Sequence, residues 1–231
     1  MGLKDELTSE IDTIFHDAWT TRDGNVVPID TSIKLSNDAV KIDGAVLYAD
    51  IADSTKMVQG HSDFGAAEVY KAFLRCAARI ILADGGTITA YDGDRVMAVF
   101  VGDGKETTAV RAALKINWAV KNIVVPRRNR FYNKSLFSLE HVVGVDTSAL
   151  FVARTGVRGS NDLVWVGRAA NQAAKLASLP HTHNTYITQA VYAAMDNSVA
   201  FLNSVAMWNK LTWNTFDNSI IYGSTYWWSL A

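Results

Sequence analysis

The chain has 231 residues, 49% of them hydrophobic, and a formal net charge of −1. A chain of this size can bury one stable core, so we expect a single domain with decorations. With a net charge this close to zero, the chain lacks the excess of basic residues that is typical of proteins that bind nucleic acid or anionic membrane surfaces. The apolar runs are too short to span a bilayer, and the charged N-terminus lacks a signal-peptide core. The one cysteine, Cys76, excludes an intrachain disulfide and favours reducing cytosol, so the expected location is cytoplasmic.

The N-terminal part predicts a short helix followed by irregular chain. Leu7, Ile11 and Ile14 fall on one face of a helix predicted over residues 4–19. Polar residues 21–38, with Gly and Pro among them, predict an irregular connector. We therefore divide the chain into residues 1–38, a helix and connector, and residues 39–231, one compact domain.

The first half of that domain alternates strand and helix signals. Residues 44–51 form an apolar run typical of a buried central strand. A helix is predicted over residues 63–83, ended by two glycines. Strands over 87–91 and 94–100 are joined by Asp-Gly, which accepts the positive φ of a tight hairpin turn. A second helix over 105–124 is predicted to end at Pro126 and the basic residues after it.

The second half is predicted to hold three strands, a helix and a mixed tail. The predicted ranges are strands at 136–145, 149–155 and 162–166, a helix at 168–178, and late strands near 219–228. The order strand, helix, strand, strand, helix, strand is that of ferredoxin-like sheets. The predicted fold class is therefore α+β, a ferredoxin-like β-α-β-β-α-β fold with a short N-terminal helical extension. That fold alone indicates no function.

Two acids stand where this topology would bring carboxylates together. Asp50 ends the first strand, and Asp94 follows the hairpin turn. Carboxylates on rigid elements suit Mg²⁺ or Mn²⁺ held jointly with phosphate oxygens. Two such ions can activate an attacking oxygen and stabilise a leaving one. For either acid alone, an ordinary turn residue is the favoured interpretation.

Two further stretches carry polar groups suited to a nucleotide. Residues 51–55 run from strand into helix, and their N–H groups could cradle a triphosphate, although Ser54 or Thr55 could simply bound the helix. Asn171 and Lys175 share a helical face, where an amide and a cation could orient a ribose and neutralise phosphate charge. From spacing alone, a solvated polar face is the favoured interpretation of that pair.

Four motifs resemble, in the right order, the signatures of class III adenylate and guanylate cyclases. Residues 48–55 (YADIADST) resemble F-x-D-I-x-G-[FS]-[TS], and residues 90–100 (AYDGDRVMAVF) resemble K-T-I-G-D-x-x-M-A-x-F. Residues 144–148 (GVDTS) are similar to G-I-H-x-G, and residues 166–176 (VGRAANQAAKL) to V-G-x-x-V-N-x-A-A-R-L. The four together are far more specific than any one of them.

This resemblance implies a class III cyclase fold and a role for each matched position. Asp50, Asp94 and the backbone carbonyl of Ile51 would hold two divalent metal ions, Mn²⁺ or Mg²⁺. Asn171 would orient the ribose, and Lys175 stands where the family has a transition-state arginine. In that family the ribose 3′-hydroxyl attacks the α-phosphate and pyrophosphate leaves. The sites form between two head-to-tail subunits, which implies a homodimer.

Further positions are expected to line the nucleotide site, with Tyr91 and Arg95 shaping the base pocket. The expected nucleotide-binding residues are Ala49, Asp53, Ser54, Thr55, Ala90, Tyr91, Arg95 and Val164. The family's adenine-reading lysine falls at Ala90 and its adenine-reading aspartate at Val164, and the polar pair of guanylate cyclases is absent too. Losing both hydrogen-bonding groups should change the preferred base. Lysine for arginine at position 175 also replaces a bidentate fork with a point charge.

In these departures, and in the sequences of residues 46–50, 90–100 and 113–117, the chain resembles the pyrimidine cyclases of bacterial Pycsar antiphage systems. That resemblance implies UTP or CTP as substrate and cyclic UMP or cyclic CMP as product. Overall similarity favours a uridylate cyclase over a cytidylate cyclase. It also implies a separate effector protein that responds to the cyclic nucleotide downstream, in antiviral defence.

Two alternatives stay open. The first is an adenylate cyclase with an atypical purine pocket, against which the apolar residues Ala90 and Val164 speak. The second is a catalytically inert cyclase-like module that binds nucleotide and regulates a partner. Lys175 and the absence of a recognisable late phosphate-binding lysine favour that module. The presence of both Asp50 and Asp94 speaks against it.

Overall fold

A mixed nine-stranded sheet forms the centre of the protein, and the computed structural model describes residues 2–60, 62–132 and 138–230. In the first half the elements are α1 (Leu3–His16), β1 (Thr20–Asp23), β2 (Asp38–Ile51), α2 (Ser54–Gly60), α3 (Asp63–Ala83), β3 (Thr87–Asp92), β4 (Arg95–Val101) and α4 (Lys105–Ala119). In the second half they are α5 (Val125–Phe131), β5 (His141–Val157), β6 (Ser160–Val166), α6 (Arg168–Ala177), β7 (Thr185–Thr188), α7 (Gln189–Ala194), α8 (Asn197–Ala200), β8 (Phe201–Leu202), β9 (Val205–Ala206), β10 (Asn209–Trp213) and β11 (Ser219–Ser224).

The heart of the fold is β2-α3-β3-β4-α4-β5. Its strands lie in the spatial order β5-β2-β4-β3, and each neighbouring pair is antiparallel. This is the ferredoxin-like arrangement, so the predicted fold class is confirmed. Strands β7, β11 and β10 extend the sheet beyond β5, and β6 pairs with the second half of β5. Among the described residues, no helix has the length and apolarity needed to cross a membrane.

Strand β2 is buried on both faces, which explains its nearly continuous apolar sequence. On one face Leu47 belongs to a core cluster that includes Phe73 of α3 and Leu114 of α4. On the other face Val46 belongs to a cluster that includes Ala173 of α6. Asp50, the next-to-last residue of β2, is therefore held by a rigid, close-packed support.

Helix α6 packs against β5 at very short range, because Gly144 of β5 has no side chain. A Cβ atom added there would lie 2.2 Å from the carbonyl oxygen of Ala173 and 2.6 Å from the backbone nitrogen of Ala177. Any larger residue would push α6 off the sheet. Glycine at this position thus sets the depth of α6, which carries Asn171 and Lys175.

Outside the β3–β4 hairpin, three predictions about element boundaries are wrong. The connector is not irregular throughout, because Thr20–Asp23 pairs in parallel with the start of β2, helped by an ion pair of 2.7 Å between Arg22 and Asp38. The helix does not end at Pro126. A π-helical turn over Val120–Val124 shifts the hydrogen-bond register, which places Pro126 in the first turn of α5, where a missing N–H is tolerated.

The third concerns the two strands predicted at 136–145 and 149–155, which are one strand, β5. Of the predicted range, residues 136 and 137 lie outside the described residues. The polar residues between the two predicted strands do not break β5, because their side chains find partners. Asp146 accepts a hydrogen bond from Thr188, and Thr147 donates one to Glu106. The division of the chain at residues 38 and 39 into two parts stays a prediction.

Candidate active site

Asp50 and Arg95 form the central ion pair of the site. The register of β2 and β4 places Ala49 opposite Val96, so Asp50 and Arg95 are the next cross-strand neighbours. The Nε and Nη2 atoms of Arg95 both donate hydrogen bonds to Oδ2 of Asp50, at 3.1 and 2.8 Å. Asp50 is only 9% exposed. Opposite charges facing each other across two strands stabilise the pairing and fix both side chains.

Asp94 lies in the turn between β3 and β4. The two central residues of this turn are Gly93 and Asp94, and Gly93 has a φ of +60°. A positive φ at the first central position favours glycine there. The sequence had placed Asp94 at the start of the strand, so that prediction is off by one residue. Among the described residues, the buried Oδ2 of Asp94 has no hydrogen-bond partner.

Burial and neighbouring charges shift the pKa values of this pair. Burial raises the pKa of Asp50, and the negative charge of Asp94 adds to the rise, against the lowering effect of Arg95. Burial alone would lower the pKa of Arg95, but Asp50, Asp92 and Asp94 together raise it. The charges of three carboxylates thus act on one guanidinium, which leaves an excess of negative charge at this end of β2 and β4.

This arrangement fits a divalent metal ion. Carboxylate oxygens are the ligands that Mg²⁺ and Mn²⁺ prefer, and a buried carboxylate oxygen without a partner is costly unless a cation satisfies it. Asp94 meets that description, and the charge of Asp50 lies close enough to act on it. Within residues 2–60, 62–132 and 138–230, no group of three or more His, Cys, Asp or Glu side chains could hold a metal. Two side chains are therefore what the protein offers at this point.

The loop after β2 turns sharply at Asp53. Asp53 has a φ of +54°, in the left-handed region, at the position where the cyclase signature has glycine. Aspartate adopts this conformation more readily than most residues. The Asp53 carbonyl accepts hydrogen bonds from the backbone of Lys56 and Met57, at 2.9 and 3.2 Å, and so begins α2. A cleft of about 380 Å³ opens beside this loop and is lined by residues 50–53 and 177–181.

Lys175 of α6 faces a neighbouring cleft of about 450 Å³, which Arg95 also lines. The Lys175 Nζ atom lies 4.6 Å from the centroid of the Phe216 ring. Phe216 stacks on Trp213 with 4.8 Å between ring centroids. No local sequence pattern marks these two aromatic residues as part of the site, because their proximity depends on how the C-terminal strands β10 and β11 return to the sheet.

Asn171 is one turn before Lys175, on the exposed face of α6. Its Nδ2 atom is 3.5 Å from the carbonyl of Gly167, which is a weak contact. Within one chain the structure brings Asp50, Arg95 and Lys175 to adjoining clefts, and Asp94 lies in the turn next to Arg95. It does not bring Asn171 into either of them.

The expected base-pocket residues are spread over the sheet. Ala90 packs beside the apolar cluster under α6, whereas Tyr91 is 57% exposed on β3. Val164 lies on β6. Three strands, β5, β2 and β4, separate β6 from β3, which carries Ala90 and Tyr91. Ala49 is fully buried between β4 and β5, so none of its atoms is exposed to a ligand.

Sequence comparison finds relatives over the full length of the chain. The chain is 54% identical over 231 residues to a uridylate cyclase of Xanthomonas perforans, covering all of both proteins. It is 46% identical over 233 residues to a uridylate cyclase of Burkholderia cepacia, again covering all of both. A uridylate cyclase of a Rhodovulum species is 37% identical over 98% of each chain. No model of a known protein family matches the sequence.

Solved structures share the fold at low sequence identity. An adenylyl cyclase of Pseudomonas aeruginosa superposes with a TM-score of 0.66 at 22% identity, over 80% of this chain and 95% of that one. A guanylyl cyclase superposes with a TM-score of 0.67 at 19% identity, over 83% of this chain and 98% of that one. At such low identity these structures establish the fold and leave the substrate to other observations.

Proposed function

Because the chain belongs to the uridylate cyclase family and has the class III nucleotide cyclase fold, we propose that it converts UTP, or CTP, to the 3′,5′-cyclic monophosphate and pyrophosphate. The observation that carries this proposal is the placement of two acids. Asp50 is buried at the next-to-last position of β2, and Asp94 occupies the β3–β4 turn with a buried Oδ2 atom that has no hydrogen-bond partner among the described residues. A protein that merely bound a partner here would have no need of both.

Asp50, Asp94 and the carbonyl of Ile51 would hold two divalent ions, Mn²⁺ or Mg²⁺. Such ions supply Lewis acidity for an oxygen nucleophile and neutralise charge on a leaving pyrophosphate. The protein's own part is to fix both carboxylates on rigid elements. It also keeps water away from much of Asp50, which strengthens electrostatic interactions there.

The loop before α2 would hold the phosphate groups. The N–H of Ala52 is taken by the carbonyl of Glu140 at 3.0 Å, so it is not available to a ligand. Ser54 and Thr55 open α2, and the first N–H groups of a helix have no intrahelical acceptor. These two amides are the ones we assign to the triphosphate.

Asn171 and Lys175 would act on the ribose and the α-phosphate. The amide of Asn171 would hold the ribose so that its 3′-hydroxyl faces the α-phosphate. The ammonium of Lys175 would stabilise the charge that grows on the phosphate oxygens as the new P–O bond forms and the bond to pyrophosphate breaks. Since Asn171 is exposed and lies outside the two clefts of its own chain, the complete site would form in a homodimer, where one subunit's α6 faces the other's carboxylates.

The base preference follows from two apolar residues. Ala90 and Val164 replace the groups with which related cyclases read a purine. With no hydrogen-bonding partner for the purine edge, the site loses its means of selecting ATP or GTP, and a pyrimidine is the substrate we propose. The relatives' shared name favours uracil over cytosine. The cyclic nucleotide would act as a second messenger in antiphage defence, sensed by a separate effector protein.

The proposal is tested by incubating the purified full chain with Mn²⁺ and, separately, ATP, GTP, CTP and UTP, with products identified by mass spectrometry. Cyclic UMP or cyclic CMP as the main product is the expected result. Cyclic AMP as the main product would contradict the base assignment and leave the cyclase chemistry standing. No cyclic product from any nucleotide, with or without an extract of infected cells, would favour the inert nucleotide-binding module.

A further inference from the structure

Arg95 holds a carboxylate oxygen that a metal ion would need. Both of its hydrogen bonds to Asp50 go to the same atom, Oδ2, and together they cover that oxygen. We propose that Arg95 is a built-in cation that competes with the divalent metal for Asp50 and is released when the metal binds. This inference rests on the proposed function, because it takes Asp50 as a metal ligand.

Like charges explain why the guanidinium and the metal would exclude each other. A divalent ion bound to Asp50 would lie within a few ångströms of a guanidinium bound to the same carboxylate, and like charges at such separations repel strongly where water is scarce. Asp94, whose buried oxygen has no described partner, gains nothing from Arg95 through hydrogen bonds. A metal ion held by Asp50 and Asp94 would satisfy both acids, which the guanidinium does not.

The guanidinium of Arg95 has space into which it can move when it leaves Asp50. Its side chain is 32% exposed, against 12% for that of Asp50, so the guanidinium can leave while the carboxylate stays in position. It lines the cleft of about 450 Å³ that also contains Lys175. A triphosphate carries several negative charges, and guanidinium groups bind phosphate oxygens well.

Metal and nucleotide binding would therefore be coupled through one side chain. Arg95 would leave Asp50 when the metal binds, and its guanidinium would then bind the triphosphate. By linkage, the triphosphate must in turn raise the affinity for the metal by the same factor. Arg95 is thus a positioning residue that makes each ligand favour the other, in addition to its expected place near the base.

The test measures Mn²⁺ binding to the full chain by electron paramagnetic resonance, with no nucleotide present. Arg95→Gln is expected to bind Mn²⁺ about tenfold more tightly than the wild type, because the competing cation is gone. Lys175→Gln is the matched control, since it removes one positive charge from the same region without freeing Asp50. Arg95→Lys provides a second variant, with an intermediate affinity expected because an ammonium has one nitrogen where the guanidinium donates from two.

A second titration adds a UTP analogue with a methylene group between the α- and β-phosphates, which cannot be cyclised. In the wild type the analogue should raise the Mn²⁺ affinity, and in Arg95→Gln this gain should shrink. Equal Mn²⁺ affinities for Arg95→Gln and Lys175→Gln would overturn the proposal, because general electrostatics would then suffice. Weaker binding by Arg95→Gln would also overturn it, since Arg95 would then be orienting Asp50 for the metal.

Failure of this inference can be told apart from failure of the proposed function. A wild type that makes a cyclic nucleotide while Arg95→Gln leaves the Mn²⁺ affinity unchanged overturns only the competition by Arg95. If Asp50→Asn binds Mn²⁺ as the wild type does, Asp50 is not a metal ligand and both proposals fall.

Discussion

Lys175 points its ammonium group at the face of the Phe216 ring, 4.6 Å from the centroid. A cation over an aromatic face is attracted by the ring's negative face, and the contact also restricts the flexible lysine side chain. The turn between β10 and β11, which carries Phe216, thus holds the residue that we assign to the transition state. Lysine lacks the planar fork of the arginine found in related cyclases, and the ring supplies part of the orientation that is lost.

Substitutions at Lys175 and Phe216 should distinguish the effect of the lysine's charge from the effect of its orientation. We expect Lys175→Ala to lower kcat by about 10²-fold or more, because a cation that stabilises developing phosphate charge is lost. Lys175→Arg should retain activity within about tenfold, and Phe216→Leu should cost only about two- to fivefold, the worth of an exposed cation–π contact. Steady-state kinetics with UTP measure all three. A Lys175→Ala variant with near-normal kcat would remove this residue from the mechanism.

The two acids should be needed for turnover and not for folding. Asp50→Asn and Asp94→Asn are each expected to abolish cyclic nucleotide formation, because each removes a charged ligand for the metal. Asp94→Asn should leave thermal stability nearly unchanged, since the Asp94 oxygen has no described partner to lose. Mass spectrometry and thermal melts provide the measurements, with Asp103→Asn in the exposed loop before α4 as the control. Near-normal turnover by either active-site variant would refute the metal assignment.

A mixing experiment tests whether the site is shared between subunits. Asp50→Asn lacks the metal site, and Lys175→Ala lacks the cation of α6, so each should be inactive alone. If the two residues act across a dimer interface, random mixing makes half of the dimers mixed, each with one intact site of two, and restores about a quarter of wild-type activity. Activity of the mixture is compared with that of each variant alone at the same concentration. No recovery, with subunit exchange shown by native mass spectrometry, would mean that the residues act within one chain.

His141 should make the protein sensitive to acid. It is fully buried at the start of β5, and burial, with a smaller effect of Lys121, lowers its pKa from 6.5 to about 3. The folded state therefore keeps His141 neutral, while the unfolded state takes up a proton below about pH 6.5. Stability should fall as the pH drops through this range, by about 2 kcal/mol at pH 5 from this residue alone.

Urea unfolding at pH 8 and pH 5 measures that loss. His141→Leu should lack most of it, whatever the variant's stability at pH 8, whereas His16→Gln on the exposed helix α1 should behave as the wild type. An identical loss in His141→Leu and the wild type would show that other groups cause the sensitivity.

The sequence predicted those parts of the fold that depend on local patterns. The apolar run of β2, the helical spacing of α3 and the turn residues between β3 and β4 together specify a ferredoxin-like core, and that topology brings Asp50 close to Asp94. The precise position of Asp94 in the turn was missed, because Asp92-Gly93 and Gly93-Asp94 are both acceptable centres for a two-residue turn. Only the observed pairing of Asp92 with Arg95 decides between them.

Other features depend on contacts that no local pattern contains. The bond from Arg95 to Asp50 follows from strand register, and Phe216 reaches Lys175 only through the packing of the C-terminal strands. The helix continues past Pro126 because a π-helical turn absorbs the missing hydrogen bond. Asp53 is a case where a motif was informative: its place at a glycine position of the signature agrees with its φ of +54°.

The contact between Gly144 and α6 restricts how this enzyme can open and close. With backbone atoms of α6 so close to β5, that helix cannot slide or tilt without a clash, so Lys175 has a fixed base. Movement that admits a nucleotide must then come from elements without such an anchor, namely the turn that carries Phe216, beside Lys175, and the Asp53 loop. Helix α6 thus stays fixed on the sheet, and the segments around it supply the motion that a catalytic cycle requires.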